Sequence, residues 1–140
     1  LPKPPPPQEL PEDTVGQRIK KARLIKELNK KQLAKKAGMC DNTIIDYEKE
    51  RYTPSVKNYV KLAEALDVKI DWLSDYDTLP KKTLGQKVKK CRLLKGWTQS
   101  ELAQRAALDP TTISRIEQDK VTNPDSKTMK KLKHTLGKLM

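Results

Sequence analysis

Apolar residues return at intervals of three and four along most of the chain, the period of helices buried on one side. Ile19, Ala22 and Leu33 fall at that spacing, and so, further on, do Val88, Cys91 and Leu102. Ile44 and Tyr47 are three apart, as are Ile113 and Ile116, and each pair is expected to face a core. Polar residues punctuate these runs. Thr14-x-x-Gln17 and Thr83-x-x-Gln86 are capping-box spacings that open a first helix. Asn29-x-x-Gln32 and Thr98-x-x-Glu101 open a second, which ends near Gly38 or Ala107. A third helix opens at Asp109, a strong cap, with Pro110 at the first helical position, where a missing N–H costs nothing. Its counterpart opens at Cys40, a weaker cap. Pro54 and Pro124 close the loops that follow, and the spacing predicts fourth helices over 56–66 and 126–136. The first set adds IDWLSDY, a short fifth helix around Trp72, and the second set has none.

These two sets are one pattern written twice. With an offset of 69, Thr14 lies over Thr83, and the alignment runs to Glu48 over Glu117 without a gap. Gly16/Gly85, Arg23/Arg92, Leu33/Leu102, Ala34/Ala103, Ala37/Ala106 and Ile44/Ile113 are identical pairs. After one inserted residue it resumes, with Pro54 over Pro124 and Leu66 over Leu136. Each copy is roughly 57 residues, small for a core but sufficient when all-helical. Duplication of a whole domain is the reading, and it divides the chain into 1–13, a proline-rich linker; 14–73, a first domain; 74–82, an interdomain linker; and 83–140, a second domain. The nine residues of 74–82 span at most about 30 Å.

Residues 1–13 carry six prolines and are expected to be extended polyproline II. The P-x-x-P spacing from Pro4 to Pro7 arises in any run of four prolines and reads as a stiff linker. The chain begins at Leu1 without Met or a signal-peptide pattern, so it reads as a processed or excised piece with something once attached before it.

Lys and Arg number 30 against 18 Asp and Glu, a formal net charge of +12. Such a balance favours a polyanionic partner: nucleic acid or an acidic membrane surface. No run approaches the ~20 apolar residues of a membrane span. The basic residues surround compact capped helices instead of forming one amphipathic stripe, which disfavours a membrane surface. Cys40 and Cys91 have no CxxC spacing and suit a reducing compartment, with Cys91 in the core. His134 has no metal-spaced companions, and no nucleophile set or phosphate loop is evident. No metal, cofactor, small molecule or enzymatic activity is therefore expected.

Helix, short second helix, tight turn and third helix is the helix-turn-helix arrangement. The run QSELAQRAALDPTTISRIE, with an arginine upstream and a proline downstream, resembles the phage repressor and Cro family of DNA-binding domains. The resemblance covers 14–73 and 83–139. It implies an all-α chain of two tandem bundles of four to five short helices. It implies double-stranded DNA as partner, with the third helix of each copy in the major groove and the second across the backbone. A cytoplasmic setting in a prokaryotic cell or phage context follows.

The residues divide accordingly. In the second copy Thr111, Thr112, Ser114, Arg115 and Gln118 are the candidate base readers, since Arg can reach guanine O6 and N7. In the first copy they are Asn42, Thr43, Ile45 and Asp46. Candidate phosphate contacts are Gln99, Lys120, Asn123 and Lys127, and in the first copy Lys30, Lys49, Arg51 and Lys57. The resemblance gives Gln99 a phosphate contact and a bracing role toward the third helix. It pairs Arg23 with Glu48 and Arg92 with Glu117. Lys20, Lys21, Lys89 and Lys90 are open between DNA contact and a solvated helix face. Trp97, in place of Leu28, reads as core packing.

The copies are unequal. Residues 14–70 have net charge +7 and residues 79–140 have +10. Asp41, Asp46, Glu48 and Glu50 crowd the first copy's third helix. An Asp facing the DNA backbone costs Coulomb energy, although it can also accept from cytosine N4. The second copy is thus the expected stronger reader. The first reads another half-site or makes protein contacts through Ile45 and the Trp72 helix, the latter a candidate for self-association. The function expected is a sequence-specific transcriptional regulator. The alternatives are the DNA-targeting region of a larger recombinase or nuclease, or a protein-interaction module on the same fold.

Overall fold

The computed structural model describes residues 6–137. The chain divides into two compact units between Asp75 and Tyr76. The first holds α1 (Val15–Ile25), α2 (Lys30–Ala37), α3 (Asp41–Glu48), α4 (Val56–Leu66) and α5 (Ile70–Leu73). The second holds α6 (Leu84–Leu94), α7 (Gln99–Ala106), α8 (Pro110–Glu117) and α9 (Ser126–Leu136). Among the described residues there is no strand, and the fold is all-helical.

The four capping boxes form as their spacing demands. Thr14, Asn29, Thr83 and Thr98 each accept from the backbone N–H three residues on, and the Gln or Glu there accepts in return. The Asp109 carboxylate accepts from the Thr111 N–H at 2.8 Å, whereas Cys40 caps nothing. The turn between second and third helix is a left-handed C-cap in both units. Gly38 has φ 70° and Ala107 φ 54°. The next residue donates back into the helix, Met39 to Ala34 and Leu108 to Ala103, both at 2.8 Å. Ala107 carries a Cβ in a region that disfavours one.

Each core is built from the inner faces of these helices. Ile19, Leu33, Ala34, Ile44, Tyr47 and Leu62 are buried in the first, and Val88, Leu102, Ala103, Ile113, Ile116 and Leu132 in the second. Cys91 and Trp97 pack against the second core. Gly16 and Gly85 let the first helix of each unit touch the end of the third. A Cβ on Gly16 would lie 2.7 Å from the Tyr47 carbonyl, and one on Gly85 would meet the Ile116 carbonyl closer still.

The end of the third helix is also tied electrostatically. The Arg23 guanidinium donates to both Glu48 oxygens at 2.8 and 3.1 Å, and Arg92 to both Glu117 oxygens at 2.7 and 2.9 Å. These four side chains are at most 7% exposed. The remaining guanidinium nitrogen donates to the carbonyl of Leu28 or Trp97, just before the second helix. One arginine thus joins three elements.

Two segments read as linkers pack onto the units. Pro6 keeps polyproline II angles, but Pro7–Glu9 turns into a short 3-10 helix against α1. Arg18 then donates to the carbonyls of Glu12 and Asp13, and Lys21 pairs with Glu12 at 2.8 Å, which holds the Glu12 carboxyl below its ordinary range. Extended polyproline therefore gives way at Pro7–Glu9, where the Glu9 and Leu10 N–H groups donate to the Pro6 and Pro7 carbonyls, and residues 1–5 lie outside the described set. In 74–82, Ser74 is buried with its hydroxyl donating to Ile70, and Asp75 accepts from Arg18 at 2.8 Å. Tyr76–Thr78 forms a second 3-10 turn against α6, and Lys90 donates to the Asp77 carbonyl. Ser74 and Asp75 thus belong to the first unit, and the chain from Tyr76 to the second.

α5 packs on α4 and α1 with Leu73 buried. In α9 the positions of Val60 and Ala63 are held by exposed Lys130 and Lys133, a surface made for water where α4 is largely covered.

Three outcomes follow for stability. Ala107→Gly should stabilise the second unit by about 0.5–1 kcal/mol, and Gly38→Ala should destabilise the first by about 1 kcal/mol. Glu117→Ala, which strands a buried guanidinium, should cost the second unit about 3–5 kcal/mol. Urea unfolding followed at the amides of α2 and α7 measures each, and an Ala107→Gly variant no more stable than the parent would refute the strain assigned to that turn.

Candidate functional site

In α8 the two buried isoleucines fix which residues look outward. Ile113 and Ile116 are fully buried, so Thr111, Arg115 and Gln118 are exposed, with Thr112 and Ser114 half-buried beside them. The Gln118 amide donates to the Ser114 hydroxyl at 2.8 Å and ties these two together. Arg115 stands on the same outer face with no acidic partner among the described residues. The chain then folds back, and the Lys120 N–H donates to the Arg115 carbonyl at 3.0 Å. Lys120 and Asn123 are exposed on this loop, and Lys127 is exposed in the first turn of α9. That turn is capped by Asp125, whose carboxyl is held below its ordinary range by the Thr128 N–H, with help from the Thr128 hydroxyl and from Lys127 and Lys131.

Gln99, at the start of α7, donates to Glu117 Oε1 at 3.1 Å. It therefore braces α8 through the buried carboxylate, and Gln99 itself is half-buried. The first unit has half-buried Lys30 in its place and lacks this brace.

The outward face of α3 has the same frame and different chemistry. Ile44 and Tyr47 are buried, and the Tyr47 hydroxyl accepts from Asn58 at 2.7 Å. Asn42 is exposed, and Thr43, Ile45 and Asp46 are half-buried. Asp46 is ion-paired with Arg51 at 3.1 Å, a contact between a residue read as a base contact and one read as a phosphate contact. Lys49 and Lys57 are exposed at the end of α3 and the start of α4. Of the four ambiguous lysines, Lys21 and Lys90 make contacts inside their own units, whereas Lys20 and Lys89 are exposed.

Two features were not anticipated from the residues. The Asp46–Arg51 pair joins positions five apart across a helix end, where helical spacing rules no longer apply. The Trp97 ring, packed on its core, is flanked by the guanidinium of Arg105 at 4.5 Å and the ammonium of Lys95 at 5.5 Å. Among the described residues no three His, Cys, Asp or Glu side chains gather as a metal site, and no helix is long and apolar enough to cross a membrane.

Known proteins are similar to this chain in sequence. A helix-turn-helix family model matches residues 19–73 and again residues 88–138. The immunity repressor protein of Bacillus phage phi105 is 38% identical over 68 residues, which is 49% of this chain and 47% of the repressor. An uncharacterized HTH-type transcriptional regulator of Methanocaldococcus jannaschii is 38% identical over 60 residues, 43% of this chain and 91% of the regulator. The chain spans about half the length of the phage repressor. No solved structure matches it significantly. Since the family model covers most of the chain in two successive stretches, each laid over one capped bundle, the chain belongs to the helix-turn-helix family and carries its domain twice.

Proposed function

We propose that this chain binds double-stranded DNA sequence-specifically and regulates transcription, with α8 and α3 entering the major groove and α8 the stronger reader. The observation that carries the reading is the outer face of α8. An exposed arginine stands there between two fully buried isoleucines, on a helix clamped at its end by the Arg92–Glu117 pair. A helix held so firmly presents its outer side chains in one orientation, which direct readout of base edges requires. Lys120, Asn123 and Lys127 beyond its end suit phosphate oxygens, which set register without reading sequence. The net charge of +12 supplies the general attraction. The printed names of the relatives, an immunity repressor and a transcriptional regulator, support the same reading. On this view the chain works in the cytoplasm of a prokaryotic cell, encoded by host or phage.

Binding should weaken steeply with salt. About six phosphate contacts give a log–log slope near −5. Arg115→Ala should cost the preferred site about 1–3 kcal/mol and a random duplex far less. Lys120→Ala should weaken both duplexes by a similar factor. Titrations of both variants on both duplexes at one salt concentration check this. A flat salt response would count against DNA as the ligand, and full discrimination by Arg115→Ala would remove α8 as the stronger reader.

A further inference from the structure

The ion pair on α3 carries a consequence for base choice that rests on the duplex-binding reading above. Asp46 and Arg115 occupy the same position in the two copies, each one residue before a buried side chain, Tyr47 or Ile116. Their backbones are closed in the same way. The Arg51 N–H donates to the Asp46 carbonyl at 2.9 Å, as the Lys120 N–H does to Arg115 at 3.0 Å. In the second unit both side chains of this couple are cations. In the first they form a salt bridge at 3.1 Å, with Asp46 one-quarter exposed and Arg51 60% exposed.

An unpaired carboxylate in a groove lined by phosphates is repelled. Arg51 removes that obstacle. Its bridge engages Asp46 Oδ1, and a carboxylate has further acceptor capacity beyond one bond. A carboxylate can only accept, and among base edges of the major groove cytosine N4 offers a donor without a ring acceptor beside it, whereas adenine sets N7 next to N6. Asp is short, but so are Asn42, Thr43 and Ile45 on the same face, so α3 can lie deeper than a helix bearing a long arginine. We propose that Asp46, with its charge neutralised by Arg51, makes the first unit a reader of cytosine at the register where Arg115 makes the second a reader of guanine. Each unit then reads a G·C pair at the corresponding position of its own half-site, the second from its guanine and the first from its cytosine.

The test selects bound sites from random duplex DNA with the full-length chain, then repeats the selection with variants. Arg115→Ala identifies the second unit's half-site by erasing a guanine from it. The other half-site should show cytosine at the matching position, favoured about tenfold. Asp46→Asn should move that preference from cytosine to adenine, since an amide pairs with N6 and N7 together. Asp46→Ala should abolish it, with helix content unchanged by circular dichroism. Arg51→Ala should weaken that half-site, and adding Asp46→Asn should restore binding there with the adenine preference. A first half-site lacking cytosine, or one whose preference Asp46→Asn leaves unchanged, overturns the proposal. Enrichment of a single half-site, erased by Arg115→Ala, overturns it alone and leaves the duplex-binding reading standing. Enrichment of nothing sinks both.

Discussion

Each unit hangs on one buried arginine. Arg23 or Arg92 gives two nitrogens to a carboxylate at the end of the third helix and one to a carbonyl before the second. A guanidinium suits this task because its donors form a planar fork with fixed directions. Such a pair adds little net stability compared with apolar packing, since both charges leave water. What it adds is definition. A four-helix core of this size leaves an eight-residue helix free to roll on its greasy face, and a bidentate contact at its last residue stops the roll. The glycine at the start of the first helix completes the clamp by admitting that same helix end at backbone distance.

Much of this was legible in the residues because it is local. Capping boxes, helix-stopping Gly38, proline at the start of α8 and the span of α4 and α9 depend on neighbours within four positions, where side chains and backbone meet on known terms. The buried pairs came from resemblance, since Arg23 and Glu48 are 25 apart and no spacing rule joins them. What escaped was set by contacts outside regular helix, at separations from five to 57 residues. Pro7–Glu9 is composed like a polyproline strut, yet it turns back onto α1, where Arg18 offers donors to the carbonyls that follow. Ser74 and Asp75 look like linker and are held by the same arginine. One side chain, Arg18, thus ties the chain on both sides of the first unit, at Glu12 and Asp13 and at Ser74 and Asp75.

Duplication makes the two units a controlled comparison. Strain is distributed differently between them. The second unit has Ala107 where the first has glycine, and the first has Glu27 at φ 58° where the second has Gly96 at φ 75°. Each copy thus tolerates one left-handed residue with a Cβ at a turn its sister makes with glycine, and neither turn is lost. Packing, caps and the ion pair therefore over-determine the backbone, and single turns can drift.

The outer faces drifted further, for the same reason. Residues that set the path of α3 and α8 point inward, so nothing in the core opposes a change outside. Arg115 can become Asp46, and Lys120 can become Arg51, without disturbing a buried atom. These two exchanges are not independent, however. A lone aspartate at that position would oppose any polyanion, whereas aspartate with arginine five residues on is neutral and still has acceptor capacity to offer. The backbone bond between 46 and 51, present equally between 115 and 120, keeps the two side chains within reach whatever they are. The frame therefore does more than hold the third helix in place. It couples the middle of that helix to the loop behind it, so that a change of charge on its outer face can be compensated at one defined site.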